Sequence, residues 1–408
     1  MEIFMRLAII LGANQVISHG FGVFLFAALF PLMRDALDMT YWHLTLTGVA
    51  TQIAYLAGAL CVSILGRIIS AERLILLTAG GATLLLAGLS QVAEPVIIIV
   101  LLFLLAFSAA GCWGAIVGLI SQYADKQNAA TSLSVAGSGT AWGYGINGLI
   151  LLWWVPVFGW QSVWILTAGI AGLIFLTTLY MMRSLSSVST RQPEKLSESE
   201  LNMLSVRQLI MACLTEHRAL FSCLIYFQIG LTCITFTSWL NTRLDEVDPS
   251  GFQGAITWSV IGISGMLAGI LIGRVADKKG HEVALLLAAS GYAAGLLAFS
   301  FNPLQFAVIA GAGYGMIYFP VWGVVSSWLA QRYSPVATMQ LSGVGMIASA
   351  IGGSLGNIIA GQILNQTGSL TLLYDFLAFA GCVTVVLVGG ICWHKSKGEV
   401  TARLNSLS

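Results

Sequence analysis

The sequence predicts an all-α integral membrane protein of twelve transmembrane helices arranged as two pseudo-symmetric six-helix halves. Three observations carry this: charge is scarce, apolar runs of about twenty residues recur from end to end, and the few basic residues cluster on alternate loops. Of 408 residues 57% are hydrophobic and 9% charged, where a soluble domain carries about 25% charged residues. As helix, roughly 20 apolar residues cross about 30 Å of hydrocarbon. Such runs fall near 7 to 32, 43 to 66, 73 to 92, 95 to 121, 130 to 154, 161 to 182, 218 to 240, 254 to 276, 281 to 300, 303 to 330, 337 to 365 and 370 to 394.

The first run follows six residues and continues into Pro31-Leu32-Met33-Arg34 without a small-residue cleavage site. Helix 1 is therefore expected to remain in the mature protein. The seven cysteines are scattered without metal or redox spacing and read as packing residues. Sixteen of the 18 Lys and Arg fall in the amino terminus, the even-numbered loops and the carboxyl tail; Arg34 and Arg243 alone fall in odd-numbered loops. The positive-inside rule then places both termini in the cytoplasm, as in a multi-pass protein of the inner membrane. An odd helix count would spoil that bias.

Residues 183–217 interrupt the apolar pattern and divide the chain into an amino-terminal half (1–182), a cytoplasmic linker and a carboxyl-terminal half with its tail (218–408). Leu201, Leu204, Ile210 and Leu214 are spaced as in an amphipathic helix on the membrane surface; an unstructured tether is the alternative reading. The halves overlay at an offset near 207 residues. Gly66-Arg67 returns as Gly273-Arg274, Ala130-Thr131 as Ala337-Thr338, Gly137 and Gly139 as Gly343 and Gly345, Trp113-Gly114 as Trp322-Gly323, and Arg34 as Arg243. Such a repeat implies a pseudo-twofold axis along the membrane normal; Arg34 and Arg243, repeat mates at the outer ends of helices 1 and 7, are expected to form gating ion pairs with Asp35, Asp38, Asp245 or Glu246 that break when the cavity opens outward, with solvated rim charges as the rival reading.

Between helices 8 and 9 the chain reads Gly273-Arg-Val-Ala-Asp-Lys-Lys-Gly280. This resembles the cytoplasmic-loop signature of the major facilitator superfamily, and the resemblance extends over the whole chain. It implies an inner gate in which Asp277, at a helix amino terminus, works with Arg274, while Gly273 and Gly280 permit close helix contact and a tight turn. An incidental aspartate in a basic loop is the rival reading. The first-half loop departs from the signature, with Ser70 for the aspartate and Arg73 for the second glycine; Glu72 is the substitute acid. Helix 5 carries Gly137-Ser-Gly-Thr-Ala-Trp-Gly-Tyr-Gly-Ile-Asn-Gly148, which partly resembles the superfamily's antiporter motif, but Tyr144 stands at the proline position. Close helix packing through small residues is the favoured reading there. Phe21-Gly-Val-Phe24 and the segment from Gly361 to Ser369 look like monocarboxylate-type and related orphan bacterial permeases.

Ionisable groups within a membrane are costly and mark function. His19 lies midway between Leu7 and Pro31, near the bilayer midplane, and shares a helix face with Gln15, Ser18 and Gly22. At the offset of 209 it maps onto Gln228, which opens a stripe with Thr232, Thr235 and Trp239. Gln52 and Tyr55 in helix 2, Trp113 in helix 4, Asn147 in helix 5, Trp258 in helix 8, Tyr314, Tyr318 and Trp322 in helix 10 and Asn357 in helix 11 complete the substrate-binding candidates. Trp153, Trp154 and Trp160 suit an interfacial belt.

No Lys or Arg lies deep in a helix, which disfavours a polyanionic substrate. Helix 8 also lacks the arginine of many monocarboxylate permeases. The predicted function is secondary active transport of a small neutral, zwitterionic or singly charged organic solute, with a monocarboxylate among the candidates, by rocking of the halves. His19, whose side chain titrates nearest physiological pH, is the candidate for a coupling proton; a neutral packing histidine is the rival. The alternatives are an exporter of amphipathic drugs or metabolites and a non-transporting receptor or scaffold. No nucleophile triad, metal cluster or nucleotide loop marks an enzyme. The expected partners are a small-molecule substrate, the lipid bilayer and protons. No cofactor and no nucleic acid are called for, and the chain is expected to be a monomer.

Overall fold

The computed structural model describes residues 2–65, 69–123, 129–186 and 204–405. Twelve helices among them are long and apolar enough to cross a membrane. Helices 1 to 6 are Met5–Ala36, Tyr41–Val62, Ala71–Leu89, Pro95–Ile120, Ser132–Phe158 and Gln161–Leu185; helices 7 to 12 are His217–Asp245, Phe252–Lys279, His281–Phe301, Pro303–Ala330, Val336–Thr367 and Thr371–Trp393. Their outward faces stay apolar. Leu84 is 75% exposed and Val386 73%, as a surface solvated by lipid requires.

Lipid removes the hydrophobic drive for one helix to find another, so close contact has to come from small residues and satisfied polar groups. Helix 5 shows how. A Cβ on Gly143 would lie 2.6 Å from the Gly20 Cα of helix 1, and one on Gly139 would collide with the Gly12 backbone. On its other side, a Cβ on Gly262 of helix 8 would lie 2.5 Å from the Gly145 Cα, and Gly148 faces Ser259. The glycine run of helix 5 thus packs one helix of each half.

The amino terminus and the linker mark one end of the bundle, the termini end; Arg34 and Arg243 mark the opposite, far end. Contacts between the halves run from the middle of the bundle to the far end. There Gly48 meets Asn357 and Gly361 meets Thr45 across helices 2 and 11. Toward the termini end, a Cβ added at Gly269, Gly273, Gly323 or Gly343 would meet nothing within 4 Å. The contacts that join the halves thus lie at the middle and the far end of the bundle.

The second part of the linker is a helix, Val206–Thr215, opened by a reciprocal cap between Ser205 and Gln208. Val206, Ile210 and Leu214 project on one exposed face, the arrangement expected at a membrane surface; Leu201 lies outside the described residues. The Gln340 side chain of helix 11 donates to the Leu204 carbonyl at 3.0 Å and accepts from its N–H at 2.9 Å, so the linker is held to the second half.

Gly143→Ala is expected to lower the melting temperature of the detergent-solubilised protein, because overpacking costs about 1–3 kcal/mol. Gly81→Ala, where a Cβ meets nothing within 4 Å, serves as the control. Equal melting of both variants with the parent would show that the contact of helices 1 and 5 tolerates the extra atom.

Candidate substrate-binding site

Helix 1 leaves α-helical winding for a nine-residue π-helical segment, Val16–Phe24, and helix 7 does so over Gly230–Ile234. Subtracting the repeat offset of 209 makes the second segment overlap the end of the first. Such segments frequently occur at functional sites, since they re-aim side chains. The first contains His19; Gln228 lies just before the second.

His19 is half-buried, and both ring nitrogens have partners: Nδ1 lies 3.0 Å from the Ser18 hydroxyl and Nε2 lies 3.4 Å from the Tyr55 hydroxyl of helix 2. The two rings meet edge to face, their centroids 5.6 Å apart. One turn toward the termini end, the Gln15 carbonyl accepts from the Thr140 hydroxyl of helix 5 at 3.4 Å, and Gln15 Nε2 is buried without a partner. Gln228 is half-buried, and its Oε1 is likewise shielded and unpartnered. Gln52, Trp113, Tyr318 and Trp322 are half-buried on the flanking helices, with Trp322 stacked on Tyr226 at 4.9 Å and 20°.

Above this space an aromatic layer joins the halves. Tyr144 and Tyr314, both fully buried, share a hydroxyl–hydroxyl hydrogen bond of 2.8 Å. Trp258 stacks on Tyr144 at 4.9 Å, Tyr318 stacks on Tyr314 at 5.0 Å, and Phe24 lies 4.6 Å from Tyr144. The layer closes the cavity on its far side.

Several candidates from the sequence are spent on packing in this conformation. Asn147 donates to the Gly20 carbonyl at 2.8 Å, tying helix 5 to the π segment of helix 1. Trp258 donates to Asn241 at 2.9 Å, and Asn241 donates to the Ala28 carbonyl of the other half at 2.5 Å. Asn357 accepts from Trp239 at 3.0 Å, and Thr232 donates to the main-chain carbonyl of Gln228 at 2.7 Å. Sequence reasoning missed Tyr144, Thr140, Asn241 and Phe24 as parts of the site. Tyr144 had a signal: it is a bulky polar ring flanked by Gly143 and Gly145, so its helix must sit deep between neighbours.

At the far end the repeat mates diverge. Arg34 contacts Asp35 at 2.7 Å, donates to the Tyr41 hydroxyl at 2.5 Å and reaches Asp245 of the other half at 3.4 Å. Arg243, expected to form a similar pair that parts as the halves separate, instead braces its own half. It holds Glu246 at 2.6 Å, and Glu246 accepts from the Leu370 N–H at 2.9 Å.

The loop between helices 8 and 9 also departs from expectation. Helix 8 continues through Lys279 and is stopped by Gly280 at φ 100°, so Asp277 lies in the last helical turn, not at an amino terminus. Its dipole end is complemented by Lys278 and Lys279. Asp277 and Arg274 are exposed, and Gly273, expected in close helix contact, faces open space. In the first half Ser70 caps helix 3, and Glu72 accepts from the Tyr123 hydroxyl at 3.0 Å. Burial and that carboxylate push the Tyr123 phenol up to about 12. Gly66 and Arg67 lie outside the described residues.

Two six-helix repeats around a cavity closed at one end are the architecture of a membrane transporter. Residues 15–357 match the family model described as Major Facilitator Superfamily, and the chain belongs to that family. A putative tartrate transporter of Agrobacterium vitis is 26% identical over 75% of this chain and 72% of its own length. A gallate transporter of Pseudomonas putida is 24% identical, covering 81% and 80%, and a benzoate transport protein of Acinetobacter baylyi is 24% identical, covering 70% and 67%. A crystal structure of a mutant nucleoside transporter NupG superposes with a TM-score of 0.73 at 14% identity, over 95% of this chain and 99% of that one. The protein is thus a multi-pass membrane protein of a transporter family.

Asp245→Asn combined with Tyr144→Phe removes one ion pair and one hydroxyl pair between the halves. Partly exposed ion pairs contribute up to about 1 kcal/mol and a net hydrogen bond about 1 kcal/mol. The closed far end should therefore lose population severalfold. Spin labels at position 40, just before helix 2, and position 365, on helix 11, are expected to show a longer-distance component in the double variant. An unchanged distance distribution would rule out the lock.

Proposed function

We propose that the protein is a secondary active transporter that moves a small organic solute, carrying at most a single net charge, by alternating access across the inner membrane. What supports this is the distribution of contacts between the halves: the Tyr144–Tyr314 layer and the Arg34–Asp245 contact join them at the middle and the far end, on the reading that they part at the other. With both termini cytoplasmic, as the basic residues favour, this is the inward-facing state. Substrate is held among helices 1, 2, 4, 7 and 10, with Gln15, His19, Gln52, Tyr55, Trp113, Gln228, Tyr318 and Trp322 on the walls. Trp258, Tyr314, Asn147, Asn357 and Thr232 reach it through the neighbours they position. The names of the tartrate, benzoate and gallate relatives support an organic-solute cargo.

His19 is the proposed coupling site. A proton on its ring and a solute bound beside it are linked, each altering the other's affinity. The bonds to Ser18 and Tyr55 provide a route by which occupancy of the cavity reaches the imidazole. Gln228, its repeat mate, cannot titrate, which confines coupling to one half. In proteoliposomes, His19→Gln is expected to abolish accumulation driven by an imposed pH gradient while sparing solute exchange at equal pH. Accumulation against the concentration gradient by this variant, driven by pH alone, would place the coupling proton elsewhere.

The inner gate is assigned to Gly273, Arg274, Asp277 and Gly280, whose exposure here fits a gate that is open. On this reading Asp277 gains its partner only when the termini ends close. Asp277→Asn should slow transport severalfold while leaving the dissociation constant of solute in detergent within about twofold. Unaltered transport by folded variant protein would remove Asp277 from the gate.

A further inference from the structure

We propose that the solute selected by this cavity is a neutral planar ring with both a hydrogen-bond donor and an acceptor on its edge, such as a lactam or ring carboxamide, in preference to a carboxylate. This rests on reading the cavity as the transport site.

The first argument is hydrogen-bond inventory. Gln15 and Gln228 come from helices 1 and 7, a repeat-related pair that each carry a π segment. The Gln15 carbonyl is taken by Thr140, which leaves its NH2 as the free end; Nε2 of Gln15 and Oε1 of Gln228 are shielded from solvent and unpartnered. Shielded polar groups without partners are costly to leave so. A ligand that accepts from one amide and donates to the other removes both penalties. A carboxylate has acceptors only: it satisfies Gln15 and confronts the Gln228 carbonyl. Were the Gln228 amide turned over, a carboxylate would meet two neutral donors, and its one counter-charge would be the proton that His19 has to take up, which is absent whenever the imidazole is neutral.

Charge is the second argument. Arg34 and Arg243 are engaged at the far end, and Arg218 bonds to the Trp328 carbonyl at the termini end. Asp375 is taken by Ser300 on the exposed surface between helices 9 and 12. No Lys or Arg among the described residues stands at the level of His19 and Gln228. Stripping water from a carboxylate without a fixed cation costs far more than stripping it from an amide. The third argument is shape. Tyr55, Trp113, Trp142, Tyr318 and Trp322 are half-buried on the flanking helices, and such rings offer stacking faces to a flat ligand.

The test uses the purified full-length protein and near-isosteric probes: nicotinamide and uracil against nicotinate and benzoate. Binding is measured by calorimetry at pH 7.5, and uptake in proteoliposomes is measured with and without a potassium diffusion potential. The expected result is at least tenfold tighter binding of a neutral probe than of either acid. Gln15→Met and Gln228→Met, close in volume, should each weaken it about tenfold while keeping the parent's elution profile. With one proton coupled, uptake of a neutral ring moves net charge and responds to the potential; a monocarboxylate with one proton does not. Tighter binding of nicotinate or benzoate, binding indifferent to both Met variants, or binding of none of the four probes would overturn the proposal. If an acid is both bound and transported, the substrate class falls and the transporter reading stands. If a neutral probe binds as expected but is never moved, the selectivity stands and the transport reading falls.

Discussion

Much of this architecture depends on the backbone-to-backbone approach of helix 5 to one helix from each half. In lipid, two apolar helices gain little from meeting unless their backbones come close enough for dispersion contacts and polar bonds to accumulate. Gly139 and Gly143 provide that approach toward helix 1, and Gly145 and Gly148 toward helix 8. A side chain emerging between those two faces has nowhere to go except the boundary between the halves. Tyr144 emerges there, and its hydroxyl finds Tyr314. The roof of the cavity therefore follows from where the glycines are, as much as from the chemistry of the rings.

The same packing fixes the polar floor of the site. Asn147 reaches back from helix 5 to the Gly20 carbonyl, within the stretch where helix 1 has π winding. A π segment leaves backbone groups in need of partners, and the membrane has no water to supply them. The Asn147 amide supplies one. Holding that segment open keeps His19 turned toward Tyr55 and Gln15 toward Thr140. Helix 7 repeats the distortion with different side chains, so the pseudo-symmetric cavity carries a titratable ring on one side and an amide on the other. The duplication gives geometry; divergence after it gives the asymmetry on which coupling to a driving ion depends.

The spans were legible because hydrocarbon thickness and backbone satisfaction leave almost no alternative to twenty-residue apolar helices. Gln15, His19 and Gln228 stood out in the sequence because polar side chains deep in a span contrast with their neighbours, and the structure sets Gln15 and His19 within hydrogen-bond reach of helices 5 and 2. Less accessible were the facts that depend on which helix lies opposite. Arg34 and Arg243 occupy equivalent places in the repeat, yet one spans the halves and the other braces the 11–12 loop, since that choice is set by the positions of Asp245 and Glu246 in the folded chain. The loop motif fixed the turn at Gly280 but not the end of helix 8, which runs three residues further than an amino-terminal placement of Asp277 allows. Asn357 and Trp258 read as cavity residues by composition and turned out to be bonded to Trp239 and Asn241.

A carrier must keep its two access states close in free energy, because any large imbalance would leave one side of the membrane unserved. The interface between the halves suits that need. Among the described residues its contacts include glycine approaches, the rings packed around the Tyr144–Tyr314 pair, an amide-to-carbonyl bond and a partly exposed ion pair; the polar bonds are each worth about 1 kcal/mol or less in net terms. At the termini end the charges of the helix 8–9 loop stand exposed, available to form comparable weak contacts when that end closes. Solute bound beneath the aromatic layer needs to contribute only a similar amount of differential affinity to tip the balance. A few hydrogen bonds to Gln15 and Gln228 are of that size, which is why the unpartnered amides matter more to the cycle than their number suggests.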